Sequence, residues 1–113
     1  MTSQGTAHGR FTRALVSRNL FQAELALREM RDPSLLVLVD YVELLADVRP
    51  DKFDRAAVRW HGRLELETPT LTVAESQLAL AALGALREGD HAAADVVRKL
   101  LRRVRPTLLP RVS

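Results

Sequence analysis

The chain of 113 residues has no cysteine and few aromatic residues. Without cysteine it has no disulfide, no thiolate metal site and no cysteine nucleophile, and a reducing compartment is compatible with the sequence. Only five residues are aromatic, although 47% of the chain is hydrophobic. The interior must therefore consist mainly of Leu, Val and Ala, which suit closely packed helices better than strands. We expect an all-α fold.

Long hydrophobic runs are also missing. The apolar run at residues 35–39 soon meets Asp40 and Glu43, and residues 1–9 lack the apolar segment of a leader peptide. We therefore expect no membrane segment and a cytoplasmic location. The length predicts one helical domain at residues 10–105, between a disordered N-terminal tail at residues 1–9 and a loose C-terminal tail at residues 106–113.

Common catalytic patterns are absent from the sequence as well. It has no His-Glu-x-x-His motif, no glycine-rich phosphate loop before a helix and no Gly-x-Ser-x-Gly elbow. The histidines are His8, His61 and His91, and His61 borders the apolar face of its helix. A half-buried histidine that hydrogen-bonds a neighbouring side chain is the simplest interpretation of that position. We predict no enzyme activity, no cofactor and no metal site.

Capping and helix-breaking residues divide the chain into about five helices with short connections. Asn19 either caps a separate second helix or marks a bend in one that is nearly continuous from Phe11 to Met30. The other predicted boundaries are Asp32 with Pro33, Pro50 with Asp51, Thr72 with Glu75, Gly89 with Asp90, and Pro106. We expect a compact bundle or array of antiparallel helices, which resembles a short helical repeat.

The segment from Asp51 to Glu67 carries two stripes at helical spacing, one apolar and one basic. Such a helix is docked on one side and exposed on the other. The apolar stripe is Phe53, Ala57, Trp60 and Leu64. The basic ridge, which is the candidate partner-binding site, is Lys52, Arg55, Arg59 and Arg63.

Two further sets of charged residues stand out. A second basic cluster in the last helix has a structural reason to exist, because cations are favoured at the negative end of a helix dipole. An acidic line on the helix that precedes the basic ridge is either a solvated edge or faces the Arg55, Arg59 and Arg63 row of a neighbouring helix, in the same molecule or in a second one. The second basic cluster is Arg98, Lys99, Arg102 and Arg103, and the acidic line is Asp40, Glu43 and Asp47.

Arginine dominates the basic residues, with 15 of the 17 and only Lys52 and Lys99 as lysines. Arginine makes bidentate contacts with phosphate, which suits nucleic-acid binding. A GC-rich genome gives the same bias through codon usage, and we favour that interpretation.

The chain resembles a set of short, uncharacterised helical proteins of actinobacteria. The similarity covers most of the chain, including residues 11–19 and the Ala/Leu run after residue 72. It implies a compact helical domain from a GC-rich genome, and it implies no particular activity or functional residue. The residues that carry it best are Phe53, Arg55, Ala56, Ala57, Arg59, Trp60, His61, Arg63, Leu64 and Glu65.

Protein interaction is the function that these patterns favour. Two nearly all-apolar helices, at residues 34–48 and 72–86, are more than a domain of this size easily encloses, so one can supply a homodimer face, although a monomer that buries both is the alternative. Nucleic-acid binding through the Arg-rich faces is the second hypothesis. The spacing of Leu71, Thr72 and Glu75 resembles some helix-turn-helix scaffolds, but Pro106 and Pro110 leave no length for a recognition helix. The sequence identifies no partner.

Overall fold

The computed structural model describes residues 6–105, which form six α-helices and no strand. The predicted all-α class is confirmed, with six helices in place of the expected five. Helix α1 begins at Thr6, so residues 6–9 of the predicted N-terminal tail are helical, while residues 1–5 and the predicted C-terminal tail at 106–113 lie outside the described residues. The helices are α1 Thr6–Ser17, α2 Leu20–Glu29, α3 Leu35–Val48, α4 Pro50–Glu67, α5 Val73–Arg87 and α6 Ala92–Val104.

The additional helix results from a full break between α1 and α2. Arg18 has a φ of 58°, a left-handed conformation that ends α1 and reverses the chain. The Asn19 side chain then accepts a hydrogen bond of 3.1 Å from the Gln22 amide and caps α2. Because Arg10 pairs with Glu29 across the two helices, α1 and α2 form an antiparallel hairpin.

Three predicted helix caps differ from the structure by one or two residues. Ser34, and not Asp32, caps α3, because its hydroxyl lies 3.1 Å from the Val37 amide. Helix α4 begins with Pro50 itself, which suits the first helical position. The Asp90 carboxylate accepts a hydrogen bond from the Ala92 amide, but α6 begins only at Ala92.

Helices α3 to α6 form an antiparallel four-helix bundle. In this bundle α3 contacts α4 and α6, and α5 also contacts both of them. The predicted apolar stripe of α4 is fully buried, which confirms the helical-period argument. Trp60 also donates a hydrogen bond of 2.9 Å from its indole nitrogen to the Leu35 carbonyl, which fixes the second half of α4 against the start of α3.

The α1/α2 hairpin packs on the outer side of α3 and forms a second, smaller core. Phe11, Ala14, Ala23 and Ala26 are buried there against Leu44 of α3. The hairpin widens the molecule into a slab with extents of 42 × 41 × 21 Å. Helix α3 therefore lies between the hairpin and the rest of the bundle.

Candidate interaction groove

A groove of about 630 Å³ runs between α3 and α4, and all four residues of the basic ridge line it. Its apolar lining comes from both helices, so that cations of α4 border a largely apolar floor. Asp51 lies at one end. The remaining lining residues are Leu38, Tyr41, Val42, Ala56 and Trp60.

The geometry of the groove follows from the way α3 and α4 are joined. Only Arg49 separates the two helices, so they pack side by side from the connection onwards. The Trp60 hydrogen bond to Leu35 holds the opposite end. At about 1.5 Å per residue, the ridge from Lys52 to Arg63 extends for about 16 Å, which is three helical turns.

One end of the ridge is neutralised by Glu24 of α2. The Lys52 ammonium lies 2.9 Å from the Glu24 carboxylate, which also accepts a hydrogen bond of 2.7 Å from the Tyr41 hydroxyl. Burial acts to raise the pKa of Glu24, but the hydrogen bonds from Lys52 and Tyr41 outweigh it and leave the pKa below its ordinary value. Burial and the bond to Glu24 raise the pKa of Tyr41, so its hydroxyl stays protonated.

The other end of the ridge is neutralised by Glu67 at the end of α4 and lies against the turn that precedes α3. The Arg63 guanidinium pairs with Glu67 one turn later and donates a hydrogen bond of 2.6 Å to the Pro33 carbonyl. Asp32 lies 3.8 Å away. Arg63 therefore links α4 to the turn that precedes α3.

Arg55 and Arg59 differ from the two ends of the ridge. Both are exposed, and within residues 6–105 neither makes an ion pair or a side-chain hydrogen bond. They lie one helical turn apart along the middle of the groove. Two unneutralised guanidinium groups are thus available at its centre.

The acidic line faces away from the groove and pairs with α6. The Nη2 atom of Arg98 lies 2.7 Å from Asp40 and 2.6 Å from Glu43, and its Nη1 atom lies 2.8 Å from Asp95. The alternative in which these carboxylates face Arg55, Arg59 and Arg63 is therefore wrong, because the arginine that contacts them is Arg98 of α6.

His91 extends this row of ion pairs between α3 and α6, which we call the acidic seam. Its two ring nitrogens lie 2.9 Å from Glu43 and 2.8 Å from Asp47, and Asp47 also pairs with Arg18 at the end of α1. Burial acts to raise the pKa of Glu43, but hydrogen bonds from Arg98 and His91 keep the pKa below its ordinary value. This seam joins the hairpin, α3 and α6.

The second basic cluster does not form one surface. Arg98 pairs with Glu43 in the acidic seam, and Arg103 lies 3.4 Å from Glu75 of α5. Arg102 instead lines a separate cavity of about 310 Å³ near the start of α3. Lys99 is exposed.

His61 is a half-buried histidine bonded to a neighbouring helix, as the sequence predicts. Its Nε2 lies 2.8 Å from the Ser76 hydroxyl, which in turn lies 3.0 Å from Glu65. With the Ser76 hydrogen directed to the Glu65 carboxylate, the Ser76 oxygen is placed to accept a hydrogen bond from the His61 ring. The arrangement fixes α4 to α5.

No group of three or more His, Asp or Glu side chains in residues 6–105 is arranged to hold a metal ion. Within the same residues, no helix is both long enough and apolar enough to cross a membrane. Comparison with protein families, curated proteins and solved structures finds no match for the chain. The resemblance to actinobacterial helical proteins stays a prediction.

Sequence reasoning missed the residues that other helices add to the groove. Glu24 carries no signal of its role, since its partners follow it by 17 and 28 residues. Leu38 and Tyr41 have a weak signal, because at about 100° per residue they lie on the face of α3 away from the acidic line. This face of α3 carries no carboxylate that could neutralise the cations of α4, so those cations stay available to a partner.

Proposed function

We propose that this chain is a cytoplasmic, non-catalytic protein-interaction module, an adaptor of a few helices whose recognition surface is the groove between α3 and α4. The observation that supports this most is the combination of an apolar floor with a row of cations along one wall. A partner that enters such a groove buries apolar side chains on the floor and places carboxylates beside the cations.

The number of free charges favours a protein over a nucleic acid. Of the four ridge residues, only Arg55 and Arg59 lack an ion-pair partner within residues 6–105, and two phosphate contacts in the groove give a log-log salt slope of only about −2. Single-strand binding also relies on exposed aromatic rings, whereas Trp60 is 2% exposed and the Tyr41 hydroxyl is bound to Glu24. Nucleic-acid binding is therefore the weaker alternative.

The test compares ligands that differ in charge and apolar content. Labelled peptides that mix Glu with Leu should bind in fluorescence anisotropy, whereas polyglutamate and duplex DNA should bind far more weakly. The double variant Arg55→Glu/Arg59→Glu should lose peptide binding. The control variant Lys99→Glu/Arg102→Glu changes the net charge by the same amount at exposed positions of α6, and it should retain peptide binding.

Two results would contradict this function. Tighter binding of DNA than of the mixed peptides, with a steep salt slope, would favour the nucleic-acid alternative. No binding of any mixed peptide at low salt would remove the groove as a recognition surface.

Self-association through α5 is a second candidate function with its own supporting observation. Val73 is 75% and Leu80 48% exposed, they lie about two turns apart on one side of α5, and residues 76–86 contain no charged side chain. An uncharged helix face of this kind suits two-fold packing against a second copy.

Sedimentation equilibrium tests this second candidate. A dimer should form and Leu80→Lys should shift it to monomer, whereas Val16→Lys, at an equally apolar exposed position on α1, should leave it intact. A monomer at all accessible concentrations would contradict self-association.

A further inference from the structure

We infer that the partner bound in the groove between α3 and α4 is an acidic amphipathic α-helix, with two carboxylates one turn apart that pair with Arg55 and Arg59. This inference rests on the proposed function and names the class of partner.

The backbone of the groove walls favours a helical partner over an extended one. The lining residues belong to α3 or α4, whose interior amides and carbonyls already bond within the helices. They offer no free backbone edge to which a strand could add. A segment buried on the floor of Leu38, Tyr41 and Ala56 must therefore satisfy its own backbone hydrogen bonds, which a helix does.

The dimensions agree with a short helix. The ridge extends for about 16 Å, so about three turns of a partner helix lie along it. A stripe of apolar residues at spacings of three and four would face the floor. The partner's flanking residues would then lie beside the ridge.

The free charges set the register of the partner. Arg55 and Arg59 are four residues apart, so carboxylates at positions i and i+4 of an antiparallel or parallel helix have the same axial spacing of about 6 Å. Lys52 and Arg63 at the two ends are already paired with Glu24 and Glu67. The partner therefore needs two central carboxylates and gains less from further ones.

Glu24 has a specific role in this arrangement, since it competes with the partner for Lys52. Replacing Glu24 by Gln removes the negative charge but keeps an oxygen that accepts the Tyr41 hydroxyl. Lys52 would then be available as a third cation. We expect Glu24→Gln to bind an acidic helix about two- to fivefold more tightly at low salt.

The probe is a capped, labelled peptide of about 16 residues, with a Leu stripe at helical spacing and two central Glu residues at i and i+4. Its control has the same Leu and Glu content and two central prolines, which prevent a helix. Binding is measured by anisotropy and by the emission of Trp60, the only tryptophan of the chain.

Each outcome decides between the proposals. Binding of the helical peptide at least about tenfold tighter than the proline control supports the inference, since the two differ chiefly in helix formation. Equal binding of both overturns the helical partner and leaves the proposed function intact. If neither peptide binds, both the inference and the proposed function are overturned. Stronger binding to duplex DNA or to vesicles of anionic phospholipid would show that the partner is a nucleic acid or a membrane and would overturn the helical peptide.

A charge exchange tests the pairing itself. Arg55→Glu/Arg59→Glu should lose the acidic peptide and gain a peptide in which Lys replaces the two central Glu residues. Circular dichroism and thermal unfolding of the variant confirm that it folds. A variant that folds but shows no exchange of preference would overturn the assignment of the two arginines.

Discussion

Thr68 and Thr72 lie at either end of the turn between α4 and α5, and their hydroxyls have opposite surroundings. Thr68 is 3% exposed, and its hydroxyl has no hydrogen-bond partner in the described part of the chain. The Thr72 hydroxyl accepts a hydrogen bond from the Glu75 amide, and the Glu75 carboxylate accepts one from the Thr72 amide. This is the capping box that the sequence predicts.

The two threonines should respond to substitution in opposite directions. Thr68→Val keeps the shape and removes an unsatisfied buried hydroxyl, so the free energy of unfolding should rise by about 1 kcal/mol. Thr72→Ala removes a helix cap and should lower it by about 1 kcal/mol. Urea unfolding followed by Trp60 fluorescence measures both. A loss of stability in Thr68→Val would show that its hydroxyl is hydrogen-bonded in solution.

At the scale of elements, the seam between α3 and α6 depends on ionised carboxylates. Burial acts to lower the pKa of Arg98, but its bonds to Glu43, Asp40 and Asp95 outweigh it and raise the pKa. Glu43 responds in the opposite sense: burial acts to raise its pKa, but the hydrogen bonds from Arg98 and His91 hold the pKa below the ordinary value of 4.5. Both shifts stabilise the charged pair in the folded state.

The pKa of Glu43 predicts an acid-sensitive stability. Because this pKa is lower in the folded state, the unfolded chain binds more protons in acid. The contribution of Glu43 is thus complete above its ordinary pKa of 4.5 and is lost as the pH falls through the lower folded value. Glu43→Gln should reduce this acid dependence and lower the free energy of unfolding at neutral pH by about 1–2 kcal/mol.

Unfolding of the wild type and of Glu43→Gln between about pH 3 and 7 measures this effect. Glu88→Gln is the matched control, because the Glu88 side chain is 79% exposed and lies 3.9 Å from its nearest cation. Equal acid dependence in the Glu43 and Glu88 variants would contradict the role of the seam.

At the scale of the whole molecule, two cores share α3. The larger lies within the α3–α6 bundle, and the smaller holds the α1/α2 hairpin against Leu44. The hairpin core is made largely of alanines, with Phe11 as its large buried side chain. It therefore buries less apolar surface than the bundle.

We expect the hairpin to open without the bundle in native-state hydrogen exchange. Amides of α1 and α2 should exchange through openings of lower free energy than those of α4 to α6. Phe11→Ala should lower hairpin protection by about 3 kcal/mol and leave the most protected amides of α4 nearly unchanged. An equal loss of protection in α1 and α4 would show that both cores unfold as one unit.

Local patterns in the sequence predicted much of the fold. The stripe of Phe53, Ala57, Trp60 and Leu64 specifies a buried helix face because a period near 3.6 is a property of the helix alone. The Thr72 capping box is equally local. The left-handed conformation of Arg18 is not predictable in this way, since non-glycine residues rarely adopt it and the hairpin packing imposes it.

The start of α3 and the groove show two other limits of local patterns. Asp32 and Ser34 are both good caps, and the choice between them depends on where the helix is docked. The ridge on α4 was visible in the sequence, but its floor and the pairing of Lys52 with Glu24 depend on contacts between distant segments. Such contacts leave no periodic signal.

The order of the helices has a consequence for how quickly the chain folds. Each helix packs against its neighbour along the chain, and α3 and α4 are joined by Arg49 alone, so most of the structure requires only short loops to close. Chains dominated by such local contacts fold in about microseconds to milliseconds. The contact of α6 with α3 joins segments far apart in sequence, and we expect its formation to limit the folding rate.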